Sequence, residues 1–346
     1  METTTSAPPK RRSGCGIWIL FLVLGIGLAC SIALNIGLGI AMAISSSFGS
    51  FGTTTPLGDT AVDEFPEFQE EWSYGDGETK ALRLSIDGLI FREVEGGLFE
   101  ESYDWVAYTL SQIRAATLDE EIQVILLEID SPGGAITPTD QIYSALNQFK
   151  QSREDRFVVT YIRDMAASGG YYIAMASDWI VAEPTAMVGS IGVIMQSLNW
   201  ADLSQRIGIS DVTIKSGENK DLLNPFRTPT EAETSMLQGM VDELYTRFTD
   251  IVREGRNFGD RDISPLTDGS IFSAPTALRE GMIDALGRWE DAAAKAKELA
   301  GTEDLKFVRY YEHPSFFNWF SSLRAPDPVR TLTRLQRPRA LYLWSP

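Results

Sequence analysis

The chain has 346 residues, is 44% hydrophobic and 23% charged, and carries a formal net charge of −18 at pH 7. That length holds one large domain or two small ones. The acidic balance argues against a nucleic-acid partner and leaves no phosphate-binding stripe. A single histidine, His313, leaves little basis for a histidine triad or a multi-histidine zinc site.

From Ile17 to Ile44 no residue is charged, and Lys10, Arg11 and Arg12 stand directly before that stretch. About 20 apolar residues cross a bilayer as a helix, and flanking positive charge stays cytoplasmic. The run exceeds the roughly 7–15 residues of a signal-peptide core, so residues 17–44 are expected to be an uncleaved, single-pass signal anchor. Residues 1–16 are then cytoplasmic and the remainder extracytoplasmic, at the inner (cytoplasmic) membrane of the cell. Cleavage after Ala43 is the alternative, and Gly27-Leu-Ala-Cys30 is a poor lipoprotein signal. Both cysteines, Cys15 and Cys30, lie beside or within the span, so the exported part must be held by its own core.

Residues 45–79 are rich in Ser, Gly, Thr, Asp and Glu and read as a stalk, although Phe65, Phe68 and Trp72 could dock on a neighbour. Beyond it the pattern alternates. Ala81–Ile90 reads as a strand, Tyr103–Ala116 as a helix and Gln123–Ile129 as a buried strand. Thr139–Lys150 reads as a helix, Phe157–Ile162 as a strand, Ser168–Ser177 as a helix and Trp179–Ala182 as a strand. The segment Ile191–Leu198 follows. Thr230–Asn257 is the longest amphipathic helix, with Met236, Met240, Leu244, Phe248 and Ile251 at helical spacing. Strands alternating with helices predict an α/β domain with largely parallel pairing, over 80–304. Residues 305–346 form an aromatic, Pro- and Arg-rich tail.

Tyr161-Ile-Arg-Asp-Met-Ala-Ala-Ser168-Gly-Gly-Tyr-Tyr172 says most about chemistry. It places one hydroxyl at a strand-to-helix turn, where free helix N–H groups favour developing negative charge. Small-Gly-Gly before a helix is also plain turn chemistry. Asp130-Ser-Pro-Gly133-Gly134 ends the buried strand and exposes backbone N–H groups, or is a simple Pro-Gly turn. With histidine absent there, a lysine held neutral is the remaining base. Lys150 ends a helix, and Lys295 and Lys297 sit in a charged one. Lys215 and Lys220 lie where a strand end enters a loop, and Asp221 beside Lys220 stands as a caution.

These motifs, with Val188-Gly-Ser190-Ile-Gly-Val, Ile214-Lys-Ser-Gly-Glu-Asn-Lys220-Asp and Asp268-Gly-Ser-Ile-Phe-Ser through Gly287, resemble the signal peptide peptidase A family. These are membrane-anchored Ser/Lys peptidases of the Clp protease/crotonase-like fold, a parallel β-sheet with flanking helices. The likeness runs in order from 80 to 300. It implies Ser168 as nucleophile, Lys220 as general base and Ser190 as the hydroxyl orienting that lysine. It further implies an oxyanion hole from the Gly133 and Gly169 N–H groups, with Gly134 and Gly170 as supporting turn glycines. Lys215 has no implied role. No cofactor and no metal are implied. One copy of each motif resembles the single-domain members, which form rings, here expected to be homo-octamers whose lysine reaches the serine of an adjacent protomer. The expected partners are the bilayer, other copies and apolar peptides such as residual signal peptides.

Two other classes compete. A crotonase-type acyl-CoA enzyme also uses Gly-Gly turns but needs no export anchor, and a buried glutamate beside the oxyanion site would favour it. A non-catalytic envelope scaffold would have no use for Ser168, Ser190 and Lys220. The apolar end of the tail, Leu341 to Trp344, is expected either to strap a neighbouring subunit or to lie near the substrate groove as a substrate would.

Overall fold

The computed structural model describes residues 64–92, 104–311 and the backbone of 340–343, all within one unit, Val62–Pro346. The expected anchor, both cysteines and His313 lie outside the described residues. Among the described residues no helix is long and apolar enough to cross a membrane.

In chain order come β1 (Gln69–Tyr74), β2 (Thr79–Ile90), α1 (Trp105–Leu118), β3 (Ile122–Ala135), α2 (Ile136–Gln151), β4 (Phe157–Ala167) and α3 (Gly169–Ala174). Then follow β5 (Trp179–Ala182), β6 (Met187–Gly189), β7 (Ile194–Met195), α4 (Ala201–Arg206) and α5 (Glu231–Gly255). The last elements are β8 (Ile271–Ser273), α6 (Ala274–Arg279), β9 (Ala285–Leu286), α7 (Trp289–Ala300), β10 (Leu305–Tyr311) and β11 (Ala340–Leu343).

The backbone of the sheet runs β1-β10-β2-β3-β4-β5-β9. From β10 to β9 the pairings are parallel, but β1 joins β10 antiparallel, as β8 joins β6 and β11 joins β3 and β7. The sheet is therefore mixed, where the alternation of elements alone predicted largely parallel pairing. It also extends past both ends of 80–304: β1 lies in the stretch read as stalk and β10 in the stretch read as tail. Phe68 packs there, stacked on Tyr310 with ring centroids 5.4 Å apart, whereas Phe65 and Trp72 remain exposed.

Strand β3 is apolar on both faces because both faces are covered. Ile125, Leu127 and Ile129 point into the larger core beneath α1, α2, α3 and α5, while Val124 and Leu126 face Ala292, Ala293 and Ala296 of α7. Each such aliphatic side chain contributes about 1.5–3 kcal/mol by leaving water. Local signals fix the helix ends: Asp104 accepts from Ala107 N at the start of α1, and Thr230 and Glu233 form a reciprocal capping box on α5. On α5, Phe248 and Ile251 are buried as their spacing predicts, while Met236 and Met240 stand 45% and 49% exposed.

Candidate active site

Strand β4 pairs with β5 along its first half and with β6 along its second. Its last paired residue, Ala167, lies opposite Gly189, the last of β6. Ser168 and Ser190 are the next residues on the two strands, and both have left-handed φ values, 51° and 52°. Such values are uncommon outside glycine and persist only where surrounding bonds impose them. Those bonds are present: Ser168 N donates to Gly189 O at 2.7 Å, Ser190 N to Ser270 O at 2.7 Å, and Tyr172 N to Ser168 O at 2.9 Å. Ser168 is 1% exposed and its Oγ has no hydrogen-bond partner.

The glycines converge on the same point. A Cβ on Gly169 would lie 2.9 Å from Thr139 Oγ1, 3.2 Å from Gly134 N and 3.3 Å from Gly133 Cα. One on Gly170 would lie 2.9 Å from Ser131 O, and one on Gly134 would lie 2.3 Å from Ile90 O. Only hydrogen fits, so the start of α3 sits directly on the end of β3. Gly133 has φ 102°, and its N–H donates to Ser131 Oγ at 3.1 Å, which in turn donates to Gly88 O at 2.6 Å. Helix α3 is pinned from behind by Tyr171 OH on Met282 O at 2.7 Å, and burial pushes that phenol's pKa up. Tyr172 OH reaches Asp140 Oδ1, which also holds Arg247.

Lys220 lies elsewhere. It sits in a short 3-10 turn, Glu218–Asp221, and every residue from 205 to 220 is exposed. Among the described residues Lys220 makes no ion pair and no side-chain hydrogen bond. Lys215, the other lysine of the motif, is tied to Asp221 Oδ1 at 2.6 Å and to Glu218 O at 2.8 Å. The single chain thus assembles Ser168, Ser190, Gly133, Gly134, Gly169 and Gly170, and leaves Lys220 outside that cluster. The two glutamates buried among the described residues are both engaged: Glu128 with Arg83 and Trp289, Glu233 with Arg227. Neither is a free base beside the glycines.

Strand β11 runs along the glycine turn of β3. Its backbone lies antiparallel between two strands, with Leu341, Tyr342 and Leu343 opposite Ala135, Gly134 and Gly133 of β3, and Ala340 and Leu341 opposite Met195 and Ile194 of β7. The slot it fills, bounded by Gly133–Ala135 and Ile194–Met195, was not among the sequence candidates. The apolar pair Ile194-Met195 inside Ile191–Leu198 was its available signal.

The profile described as peptidase family S49 matches residues 150–303. The chain is 34% identical over 243 residues to an Enterococcus faecium protein named as a signal peptide peptidase SppA, covering 70% of each chain. It is 30% identical over 238 residues to Protease 4 of Salmonella typhi, covering 69% of this chain and 37% of that one. It is also 30% identical over 235 residues to the chloroplastic serine protease SPPA of Arabidopsis thaliana, covering 67% and 34%. The α/β fold with its mixed central sheet fits the Clp protease-like class, and the chain belongs to peptidase family S49, the signal peptide peptidase A family of serine peptidases.

Proposed function

We propose that this chain is a membrane-anchored serine endopeptidase in which Ser168 is the nucleophile and Lys220 of an adjoining copy is the general base. The observation that carries the reading is β11: an extended backbone lies antiparallel on Gly133–Ala135 beside Ser168. A peptide substrate paired in this way brings a main-chain carbonyl to the glycine turn. The buried, unpartnered Ser168 Oγ supports attack on that carbon.

In the proposed sequence the Oγ–C bond forms as the Oγ proton passes to neutral Lys220 Nζ. The oxyanion is met by the N–H groups of Gly169 and Gly133, the latter released from Ser131 Oγ. Lys220 then gives its proton to the leaving amine as the C–N bond breaks, and water activated by the same lysine hydrolyses the ester. Ser190, next to Ser168 through Gly189, orients the incoming Nζ.

A base from another copy is supported by the exposure of Lys220 and by the segment leading to it, where Leu198, Trp200, Ile207, Ile209, Val212 and Ile214 are exposed. Large apolar side chains exposed together along one segment mark an interaction surface. We read this face as the contact of a ring, with eight copies as the expected number. Residues 17–44 anchor the ring with the N-terminus cytoplasmic and the domain extracytoplasmic. Substrates are apolar extended segments such as residual signal peptides. An acyl-CoA reading has no free buried glutamate in its favour among the described residues.

Coexpression of Ser168→Ala with Lys220→Ala tests the shared site. Recovered peptidase activity in verified mixed assemblies is expected, and its complete absence would place both groups in one chain.

A further inference from the structure

Near Lys220 the side chains of Lys215, Asp221, Arg227 and Glu233 are locked to one another, while Lys220 itself is not. The carboxylate of the next residue, Asp221, receives Arg227 Nε at 2.9 Å, a second Arg227 nitrogen at 2.9 Å and Lys215 Nζ at 2.6 Å. The Asp221 main-chain carbonyl receives Arg227 as well, at 3.0 Å. Arg227 continues to Glu233, with contacts of 2.7 and 2.5 Å. Glu233 is 4% exposed and caps α5 through Thr230 N at 2.8 Å. A chain of bonds thus runs from the lysine turn through Asp221, Arg227 and Glu233 into the start of a 25-residue helix. Within the turn's exit Leu223 has φ 60°, a conformation that a branched side chain holds only when tied from both sides. Leu223 lies between Asp221 and Arg227, which are bonded to each other through three hydrogen bonds.

Isolated surface ion pairs contribute little to stability, and residues 205–220 have no buried side chain to protect. A planar arginine fork bound at two edges does something else well, which is to fix direction. We propose that Arg227 is a positioning residue for the peptidase reaction: it fastens the Lys220 turn to α5, so that the one unpaired cation of the turn projects in a fixed direction. This rests on Lys220 being the base. Proton abstraction needs the nitrogen within hydrogen-bond reach of Ser168. A base delivered from a solvent-exposed turn has no core packing to place it.

The test uses the full-length protein with Arg227→Met and, separately, Glu233→Gln. For Arg227→Met, kcat is expected to fall about 10²-fold, the typical effect of a displacement near 1 Å, with KM and assembly size unchanged. Combining Arg227→Met with Asp221→Asn should be no worse than the poorer single variant, since both open one clamp. In mixed assemblies the loss should follow the chain that supplies lysine: Arg227→Met lowers complemented activity when placed on the Ser168→Ala chain, and not when placed on the Lys220→Ala chain. Equal loss on either chain, or an unchanged kcat in a folded Arg227→Met protein, overturns the inference. If Arg227→Met does not fold, Glu233→Gln is judged by the same outcomes. Full activity in Lys220→Ala would instead defeat the reading of the base itself. If complementation fails altogether, the kcat of the single-chain variants decides.

Discussion

Ser168 and Ser190 occupy equivalent places on adjacent parallel strands: each follows one member of the pair Ala167–Gly189, and the Ser168 N–H is bound to the Gly189 carbonyl at 2.7 Å. Both take a left-handed backbone at that step. The two hydroxyl-bearing residues are therefore set by sheet register, not by loop packing.

One consequence concerns stability. Ser168 adopts φ 51° and ψ −114°, a region that glycine enters freely and other residues enter at a cost. Ser168→Gly should be inactive yet about 1 kcal/mol more stable than Ser168→Ala, by the usual magnitude of such strain. Thermal or denaturant unfolding of the two variants decides it, and equal stability would mean the conformation is unstrained.

The glycine turn gives an opposite outcome. A Cβ on Gly134 would meet the Ile90 main chain at 2.3–2.7 Å, and main chain cannot swing away as a side-chain tip does. Gly134→Ala should lose about 1–3 kcal/mol, the range for overpacked sites, together with activity, because Gly133 shifts with it. A stable Gly134→Ala protein with full turnover would show that the turn does not shape the site.

The Asp221–Arg227–Glu233 clamp predicts an acid limit. Arg227 holds the Glu233 carboxyl down at about 2, and Arg227 followed by Lys215 holds Asp221 well below the usual carboxylate range. Folded-state values lie below unfolded ones, so this contribution is present above the ordinary carboxylate range, near 4, and is lost as pH falls toward the folded values. Amide protection across 218–233, taken relative to the intrinsic exchange rate at each pH, should fall between about pH 4 and pH 2. Loss of protection already at about pH 6 would contradict the assignment.

Strand β11 lies antiparallel on Gly133–Ala135, the pairing proposed above for a substrate backbone. A tethered segment competes at an effective concentration in the millimolar range or so. Deleting 337–346 should raise kcat/KM on short peptides without altering assembly size. Loss of the assembly would make the segment a strap, and no effect on either would remove both roles.

Part of this was legible along the chain, because Ser168 and the glycine pairs sit in local strand-to-turn patterns, whereas Ser190 was marked only by the family resemblance. What was not legible depended on distant partners. Strand β3 was read as ending at Ile129 because Pro132-Gly133 looks like a turn, yet it runs to Ala135, since Leu89 and Ile90 of β2 pair with Gly133 and Gly134. Strand β4 continues past Ile162 through polar Arg163 and Asp164 because β6 arrives alongside Met165–Ala167. The polar sequence Gln69–Tyr74 becomes a strand only because β10, far along the chain, offers an edge. The residues alone left Lys215 and Lys220 open and the family resemblance pointed to Lys220; Lys215 is paired with Asp221 Oδ1 at 2.6 Å, a contact 6 residues away that the sequence does not announce.

In the proposed reaction everything depends on Ser168 forming the acyl bond. Treating the full-length protein with a serine-directed fluorophosphonate and measuring its intact mass shows whether that hydroxyl reacts. One adduct per chain is expected in the wild type and none in Ser168→Ala; an adduct of equal yield in Ser168→Ala would place the reactive serine elsewhere.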